Sequence, residues 1–456
     1  MTVPVSLLHK YNVPAPRYTS YPTVPFWKEM TAAGPWLQSF GQQFGEQNHT
    51  NGLSLYLHLP FCEVLCTYCG CNKKITTNHK VESPYIEALL KEWALYLEQI
   101  NSKPIIRELH LGGGTPTFFS PENLRTLLQG ILKDAIIHPE HDFSFEGHPN
   151  NTTEAHLQCL YDLGFRRVSY GVQDHDARVQ RAINRIQPFE NVKRVTEQAR
   201  AIGYHSVNFD LIYGLPFQTL ESIDHTIRQS IDLQPDRIAF YSYAHVPWTS
   251  KAQRLFTEAD LPTAPMKLLL YQQGKNRLVE KGYRDIGMDH FSLPADDLYK
   301  AWEEGRLHRN FMGYTTQNSN ILIGLGVSSI SDTGVGYAQN EKTIHDYYAR
   351  IEKNELPIFK GCELTTEDIS FKKYIKETSC QGRTTFAAAD LDLLRQYSFP
   401  ELKLLAADGL VNWNEEKLEV TELGRHFIRN ICRSFDLHLL RSQATPSNKP
   451  LFSQAI

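Results

Sequence analysis

The sequence predicts an α/β fold: a partial parallel barrel of the (β/α)6 type, followed by a mostly helical, winged-helix-like C-terminal domain. Three observations predict it. Between about residues 53 and 250, short apolar runs of strand character alternate with amphipathic helical stretches, and parallel neighbours need such crossover helices. About five or six of these units can be counted, too few for a closed eight-stranded barrel. From about residue 360 the pattern changes to helices interrupted by two short strand-like pieces.

The elements follow in order. Leu53-Ser54-Leu55-Tyr56-Leu57-His58-Leu59 alternates strictly, so the leucines share one face and Tyr56 and His58 the other. A helix is expected to open at Ser83-Pro84, a cap followed by proline at the first helical position. Ile86, Leu89, Leu90, Trp93 and Leu97 form its apolar stripe. A second strand over 105–111 runs into Gly112-Gly113-Gly114-Thr115-Pro116-Thr117, and Ser120-Pro121 caps the next helix. Strands follow at 143–146, 167–173, 206–212 and 237–244, with helices centred near 159, 196 and 226 between them. A long helix is expected over 266–281, and 321–330 is one more strand turning into a glycine loop. Helices at 401–409 and 421–432, with strands at 410–411 and 418–420, give the winged-helix pattern. Their mixed charges (Glu401, Asp408, Glu422, Arg425, Arg429) form no basic stripe, which favours a structural cover over a DNA reader. The expected division is an N-terminal arm over 1–50, the barrel with its extension over 51–355, and the C-terminal domain over 356–456.

Composition excludes several classes. With 41% hydrophobic and 21% charged residues in 456, the chain can bury a large core. A net charge of −4, from 47 basic and 51 acidic residues, argues against nucleic-acid binding through bulk charge. No apolar run approaches the roughly 18 residues of a membrane span, and residues 1–18 lack a signal-peptide pattern. Cys159, Cys362, Cys380 and Cys432 are scattered singly, as in a reducing compartment, so a cytoplasmic location is expected.

The other four cysteines carry chemistry. In Cys62-Glu63-Val64-Leu65-Cys66-Thr67-Tyr68-Cys69-Gly70-Cys71 the first three have the spacing C-x3-C-x2-C. Three thiolates on one short loop can hold three irons of a [4Fe–4S] cluster and leave the fourth iron open. Zinc is the alternative, but zinc sites more often arrive as two separated knuckles, and no second knuckle is present. The candidate residues on this loop, on the glycine loop, and at Glu146, Gln173 and Asp210 all fall at or just after strand ends, where such folds build sites.

This spacing resembles the radical S-adenosylmethionine (SAM) signature, in which the open iron binds SAM and its reductive cleavage gives a 5′-deoxyadenosyl radical. The surroundings narrow the resemblance. Asn12-Val13-Pro14-Ala15-Pro16-Arg17-Tyr18-Thr19-Ser20-Tyr21-Pro22-Thr23, Cys69-Gly70-Cys71-Asn72-Lys73, the 112–117 glycine loop and Tyr170-Gly171-Val172-Gln173-Asp174 resemble oxygen-independent coproporphyrinogen III oxidases of the HemN type. So do Asp210-Leu211-Ile212-Tyr213-Gly214-Leu215-Pro216, Gly287-Met288-Asp289-His290-Phe291, His308-Arg309-Asn310-Phe311-Met312-Gly313-Tyr314-Thr315-Thr316 and Arg429-Asn430-Ile431-Cys432. The resemblance runs over nearly the whole chain in one order. It implies a radical SAM barrel and oxidative decarboxylation of two propionates of coproporphyrinogen III to vinyl groups, giving protoporphyrinogen IX in haem biosynthesis. It further implies a [4Fe–4S] cluster, two SAM per active site, a tetrapyrrole substrate, a flavodoxin- or ferredoxin-like electron donor and a monomer; with the composition, no nucleic-acid partner and no membrane span are expected.

Carried over residue by residue, the resemblance assigns Cys62, Cys66 and Cys69 to the cluster. It assigns Tyr56, Gly113, Glu146 and Ile330 to the cluster-bound SAM, and Tyr68, Gly114, Thr115, Gln173, Arg185, Asp210 and Ala244 to a second SAM. Glu146 at a strand end suits an ammonium or ribose hydroxyl, and Arg185 is a fork for a carboxylate. Cys71 is a hydrogen donor, a local structural thiol or a fourth ligand in a resting state. His58 either hydrogen-bonds the cluster loop or is a satisfied core histidine. Arg17, Arg309 and Lys73 are candidate partners for propionates. The chain departs from the family after Glu146: members commonly read Glu-x-Asp-Pro-Arg, and here Gly147-His148-Pro149-Asn150 follows. The rivals are a haem-binding chaperone of the same superfamily, a haem-opening radical SAM methyltransferase and a winged-helix regulator.

Overall fold

Strands β1 (Leu53–Leu59), β2 (Ile105–Gly113), β3 (Ile136–Gly147), β4 (Phe165–Gln173), β5 (Ser206–Tyr213) and β6 (Arg237–Ser242) pair in chain order, each parallel to the next. The computed structural model that shows this describes residues 3–442 apart from positions 31, 249 and 318. Residues 443–456 of the expected C-terminal domain lie outside the described residues. The crossovers are helices α1 (Glu82–Leu97), α2 (Pro121–Leu132), α3 (Glu154–Asp162), α4 (Phe189–Ile202) and α5 (Leu220–Asp232), with α6 (Ala264–Glu280) after β6. The expected strand near 321–330 is β7 (Leu322–Leu325), parallel to β1 on its free side, with Gly324 opposite Tyr56. Strands β8 (Ile330–Asp332), β9 (Gly336–Asn340) and β10 (Ile358–Glu363) continue the sheet outward, so it stays open as a partial barrel.

The β1 alternation works as its sequence implies. Leu53, Leu55, Leu57 and Leu59 are fully buried, and Tyr56 and His58 meet on the other face, Tyr56 Oη to His58 Nδ1 at 3.0 Å. Ser120 caps α2 by accepting from Asn123 N at 3.2 Å. The α1 start differs. Asn78 caps a 3₁₀ turn over His79–Val81, which feeds the helix so that it begins at Glu82 and takes Ser83 and Pro84 into its first turn. Buried Glu82 accepts from His79 Nδ1, Ser120 N and Asn123 Nδ2, which fixes this earlier start.

The chain divides into two compact units, one formed by Lys28–Tyr283 and Gln317–Gly361, the other by Met1–Trp27, Arg284–Thr316 and Cys362–Ile456. This differs from three consecutive segments, and the reason is packing within the second unit. Tyr18 Oη donates to Asp436 at 3.1 Å, Asn430 Nδ2 donates to Tyr11 O at 2.9 Å, and Tyr11, Tyr18 and Tyr21 join the core of Phe371, Leu402 and Ile431. That unit is mostly helical, with Thr366–Gln381, Phe399–Ala407 and Ile428–Arg433 around a three-stranded sheet of Arg383–Thr385, Lys417–Val420 and Val411–Trp413. The helix expected over 421–432 is a 3₁₀ turn, Gly424–Phe427, followed by a short helix.

One buried acid organises the β7 end of the sheet. The Glu92 carboxylate accepts from Gly326 N (2.8 Å), Tyr347 Oη (2.7 Å) and Asn340 Nδ2 (2.6 Å). Burial outweighs these three bonds and lifts Glu92 to about 7. The folded state therefore holds the proton more tightly than the unfolded chain, whose carboxyl titrates near 4.5. The stability it contributes is present below that value and is lost as pH rises to about 7. Chemical denaturation of wild type and Glu92→Gln across this window is expected to show wild type losing about 3 kcal/mol relative to the variant.

Candidate active site

The cysteine loop begins where β1 ends. Phe61–Cys62 pairs in parallel with Lys74–Ile75, and Lys74 N and Thr76 N donate to Pro60 O (2.8 Å) and Cys62 O (2.9 Å). From the other side Gly114 N and Thr115 N donate to Leu59 O (2.9 Å) and Phe61 O (3.0 Å). The far end is tied to the segment after the short helix Ala177–Ala182: Thr67 N donates to Ile183 O at 3.0 Å, and Asn184 Nδ2 to Leu65 O at 2.8 Å. These bonds aim the loop into a cavity of about 570 Å³ at the carboxyl ends of the parallel strands.

Of the residues expected at the site, Cys62, Cys66, Tyr68, Cys69, Cys71, Gly113, Gly114, Thr115, Glu146, Gln173, Arg185 and Asp210 line this cavity. Tyr56, His58, Ala244 and Ile330 do not. His58 stands behind the loop, its Nε2 on Asn72 O at 2.9 Å, and burial lowers its pKa, so it is a neutral bridge from β1 to the cysteine segment. Tyr56 stacks on His110 at 6.1 Å beside Gly112. Ile330 lies on β8 against Gly324, the residue in register with Tyr56. Ala244 is exposed just past β6, its carbonyl accepting from Gln253 Nε2 at 3.3 Å. Arg17 and Arg309 belong to the other unit: Arg17 pairs with Asp289 at 2.9 Å, and Arg309 Nε and Nη1 are buried without partners.

The thiols differ in environment. Thr115 Oγ1 donates to Cys62 Sγ at 3.3 Å, and burial pushes that thiol up to about 11. A hydrogen bond from Cys71 outweighs burial at Cys69 and, with the Lys73 ammonium, brings Cys69 down to about 6. Lys73 Nζ also clamps the loop by donating to Cys69 O (3.0 Å) and Cys71 O (3.3 Å). Arg185 reaches Cys66 Sγ at 3.6 Å and bonds Gly171 O.

Charges of both signs face the cavity. Burial and then the nearby Glu146 lift Asp210 to about 7, although Ser169 Oγ (3.2 Å) and Asn208 Nδ2 (2.9 Å) donate to it. Glu146 accepts from Gly113 N at 3.3 Å and lies 3.5 Å from His110 Nε2. Gln173 sits in a left-handed backbone (φ 70°) at a β-bulge between β4 and β5, which turns its amide toward Gly171 and Arg185. His148, the residue at the family's acidic position, is driven by burial and then by Arg185 down to about 2, so it lines the cavity as a neutral imidazole. Asn150 instead ties neighbouring segments together, donating to Ile186 O and accepting from Asn191 Nδ2, both at 2.9 Å.

The site fits a cluster with a zwitterionic ligand. Three thiols share one cavity wall with Gly113 and Gly114, whose lack of side chains lets the two loops approach closely. Arg185 Nε is buried with no partner, an open donor for a carboxylate. Among the described residues no three His, Cys, Asp or Glu groups gather closely enough to hold one metal ion.

Comparison with known proteins agrees with this geometry. The radical SAM superfamily profile matches residues 56–229. The oxygen-independent coproporphyrinogen III oxidase of Pseudomonas aeruginosa is 38% identical over 99% of this chain and 98% of its own length. The Escherichia coli enzyme of the same name is 39% identical over 95% of each chain. The chain belongs to the oxygen-independent coproporphyrinogen III oxidase family. The crystallised coproporphyrinogen III oxidase HemN of Escherichia coli, described as a radical SAM enzyme, superposes with a TM-score of 0.88 at 37% identity, over 96% of this chain and 99% of that one.

Sequence reasoning missed Tyr241, Gly171, Glu63 and Asn151 on the cavity wall. The strand-end position of Tyr241 was a usable signal; Glu63 and Asn151 meet through a 2.8 Å hydrogen bond between distant segments, which no local pattern reveals. Among the glycines on the cavity wall, the tightest backbone approach is at Gly114, where a Cβ would stand 2.6 Å from Pro60 C and O. Gly114→Ala is expected to push the Phe61–Cys62 strand away, costing about 1–3 kcal/mol and lowering iron and acid-labile sulfide per chain to below about half. Elemental analysis and visible absorption after anaerobic reconstitution measure it.

Proposed function

We propose that this chain oxidatively decarboxylates coproporphyrinogen III to protoporphyrinogen IX, converting two propionate side chains to vinyl groups. The observation that carries the reading is the convergence of Cys62, Cys66 and Cys69 with Glu146, Arg185 and Asp210 on one cavity, in a chain of this oxidase family. When bound, a [4Fe–4S] cluster and SAM supply one-electron reductive chemistry that can remove a hydrogen atom from an unactivated carbon.

The residues have distinct tasks. Cys62, Cys66 and Cys69 hold the cluster, and Thr115 and Lys73 restrain the loop that carries them. Gly113, with φ +113°, and Gly114 line the two SAM subsites without side chains, their own amides held by Glu146 and Leu59 O. Glu146, partly exposed, binds an ammonium or ribose hydroxyl of the first SAM, with Tyr56 and Ile330 behind it. Arg185 receives the carboxylate of a second SAM through its unpartnered Nε, and Tyr68, Gln173 and Asp210 complete that subsite beside Ala244. Asp210 titrates near neutrality and can donate or accept at a ligand hydroxyl. Cys71, beside Cys69, is a candidate hydrogen donor. The protein acts as a cytoplasmic monomer served by a flavodoxin- or ferredoxin-like carrier. No helix among the described residues is long and apolar enough to cross a membrane. The haem-chaperone alternative has no comparable support, since the curated relatives matched nearly end to end carry the oxidase name.

The test is anaerobic turnover of reconstituted protein with SAM, a strong reductant and coproporphyrinogen III, followed by mass spectrometry. Stepwise loss of two carboxyl groups with 5′-deoxyadenosine is the expected result; SAM cleavage without decarboxylation contradicts the substrate. In the same assay Cys62→Ala is expected to lose all turnover. Arg185→Ala is expected to keep the iron content within about 20% of wild type while losing at least about tenfold in rate, the scale of one charge-assisted contact. A collapse of iron content would make Arg185 a structural residue instead.

A further inference from the structure

A second cavity, about 680 Å³, opens on the other side of the cysteine loop. Lys73 lines both cavities, and the adjacent residues Phe61 and Cys62 line the second and the first respectively, so a single thickness of chain separates them. Lys74, Lys80 and Lys342 complete its charged lining, and no Asp or Glu contributes to it. In a chain of net charge −4 this is a local reversal of sign. Lys74, Lys80 and Lys342 are exposed, and Lys74 and Lys80 make no ion pair among the described residues. Of the neighbouring acids, Glu82 and Glu63 face His79, and Asp346 bonds Thr343 and His345 on the groove's own rim.

The apolar groups are less exposed than the lysines. Phe61 is buried, and Val81, Ile344 and Tyr348 are half-buried, so an apolar floor lies under a cationic rim, the anatomy of a protein interface. No buried polar atom in this groove lacks a partner, so it shows no pocket prepared for a small ligand. Lysines of one sign around an opening steer an oppositely charged partner and raise its association rate by roughly 10–1,000-fold at low salt. Redox encounters are served by small interfaces, under about 1,200 Å².

The geometry points to this groove as the docking surface for an acidic, low-potential electron-carrier protein, which delivers its electron through the Phe61–Cys62 and Asn72–Lys73 wall to the group held by the cysteines. The inference rests on the reading that Cys62, Cys66 and Cys69 hold a cluster reduced from outside. The position leaves the substrate-side cavity open while the carrier is bound. One electron leaves the carrier, which is oxidised, and the cluster is reduced by one.

Rapid mixing of the cluster-loaded full chain with reduced flavodoxin, an acidic carrier, tests it. The wild-type reduction rate should fall steeply between 50 and 300 mM salt. A variant with Lys74→Glu, Lys80→Glu and Lys342→Glu together should be reduced at least tenfold more slowly at low salt, with little salt dependence. Photoreduced deazaflavin, a small reductant that needs no docking surface, should reduce both proteins at the same rate. If that triple variant does not fold, glutamine at the same three positions is read in the same way, with an expected loss of about threefold. Equal flavodoxin rates in wild type and variant overturn the docking surface. A parallel loss with deazaflavin also overturns it, because the lysines then support the loop. Failure of deazaflavin to reduce wild type would instead contradict the cluster reading itself.

Discussion

Two hydrogen bonds hold the site together: Gly114 N to Leu59 O at 2.9 Å and Thr115 N to Phe61 O at 3.0 Å. They join the loop after β2 to the loop after β1, and so fix where Cys62 stands relative to the glycine turn. Neither bond could form with a side chain at position 114, because Pro60 occupies the space. Once this contact is made, the remaining ties follow from it. Lys74–Ile75 pairs against Phe61–Cys62 on one side, and Thr115 Oγ1 reaches Cys62 Sγ on the other. The far arm of the loop is anchored independently by Thr67 and Asn184, which brings Arg185 to the same cavity as the thiols.

The electrostatics of the cavity suit a ligand that carries both charges. Arg185 offers an unpartnered guanidinium nitrogen beside a neutral His148, while Glu146 and Asp210, whose proton burial holds more tightly than usual, supply oxygens. A carboxylate at position 148 would place an acid near Arg185; the imidazole here does not. The same loop presents lysines on its opposite surface, so one short segment separates a ligand-binding cavity from a cationic exterior.

Much of this was legible in the residues. Strict alternation over 53–59 gave β1 and its two faces, and the strand–helix rhythm gave an open parallel sheet with its site at the carboxyl ends. The α1 start was misread because Ser83-Pro84 looks like a cap, whereas the buried Glu82 carboxylate, with donors from nearby His79 and from distant Ser120 and Asn123, governs where the helix begins. The N-terminal arm was assigned to itself, since nothing local in Tyr11, Tyr18 and Tyr21 reveals that their ring packing and hydrogen bonds lie some 400 residues away. Arg185 was assigned only through the resemblance, because the left-handed turn at Asn184 (φ 51°) and the Asn184–Leu65 bond beside it join distant segments. Motif residues were readable because their chemistry is local; their supports were not, because those act across the fold.

The most direct test of the account is spectroscopic. Anaerobically reconstituted, iron-57-enriched protein would be examined by Mössbauer spectroscopy before and after addition of SAM. A loop with three thiolate ligands and one open iron predicts a [4Fe–4S] cluster in which one iron site changes its isomer shift when SAM binds while the other three stay as they were. A cluster whose four irons are indifferent to SAM, or a protein that takes up a single zinc ion and no iron, would contradict it.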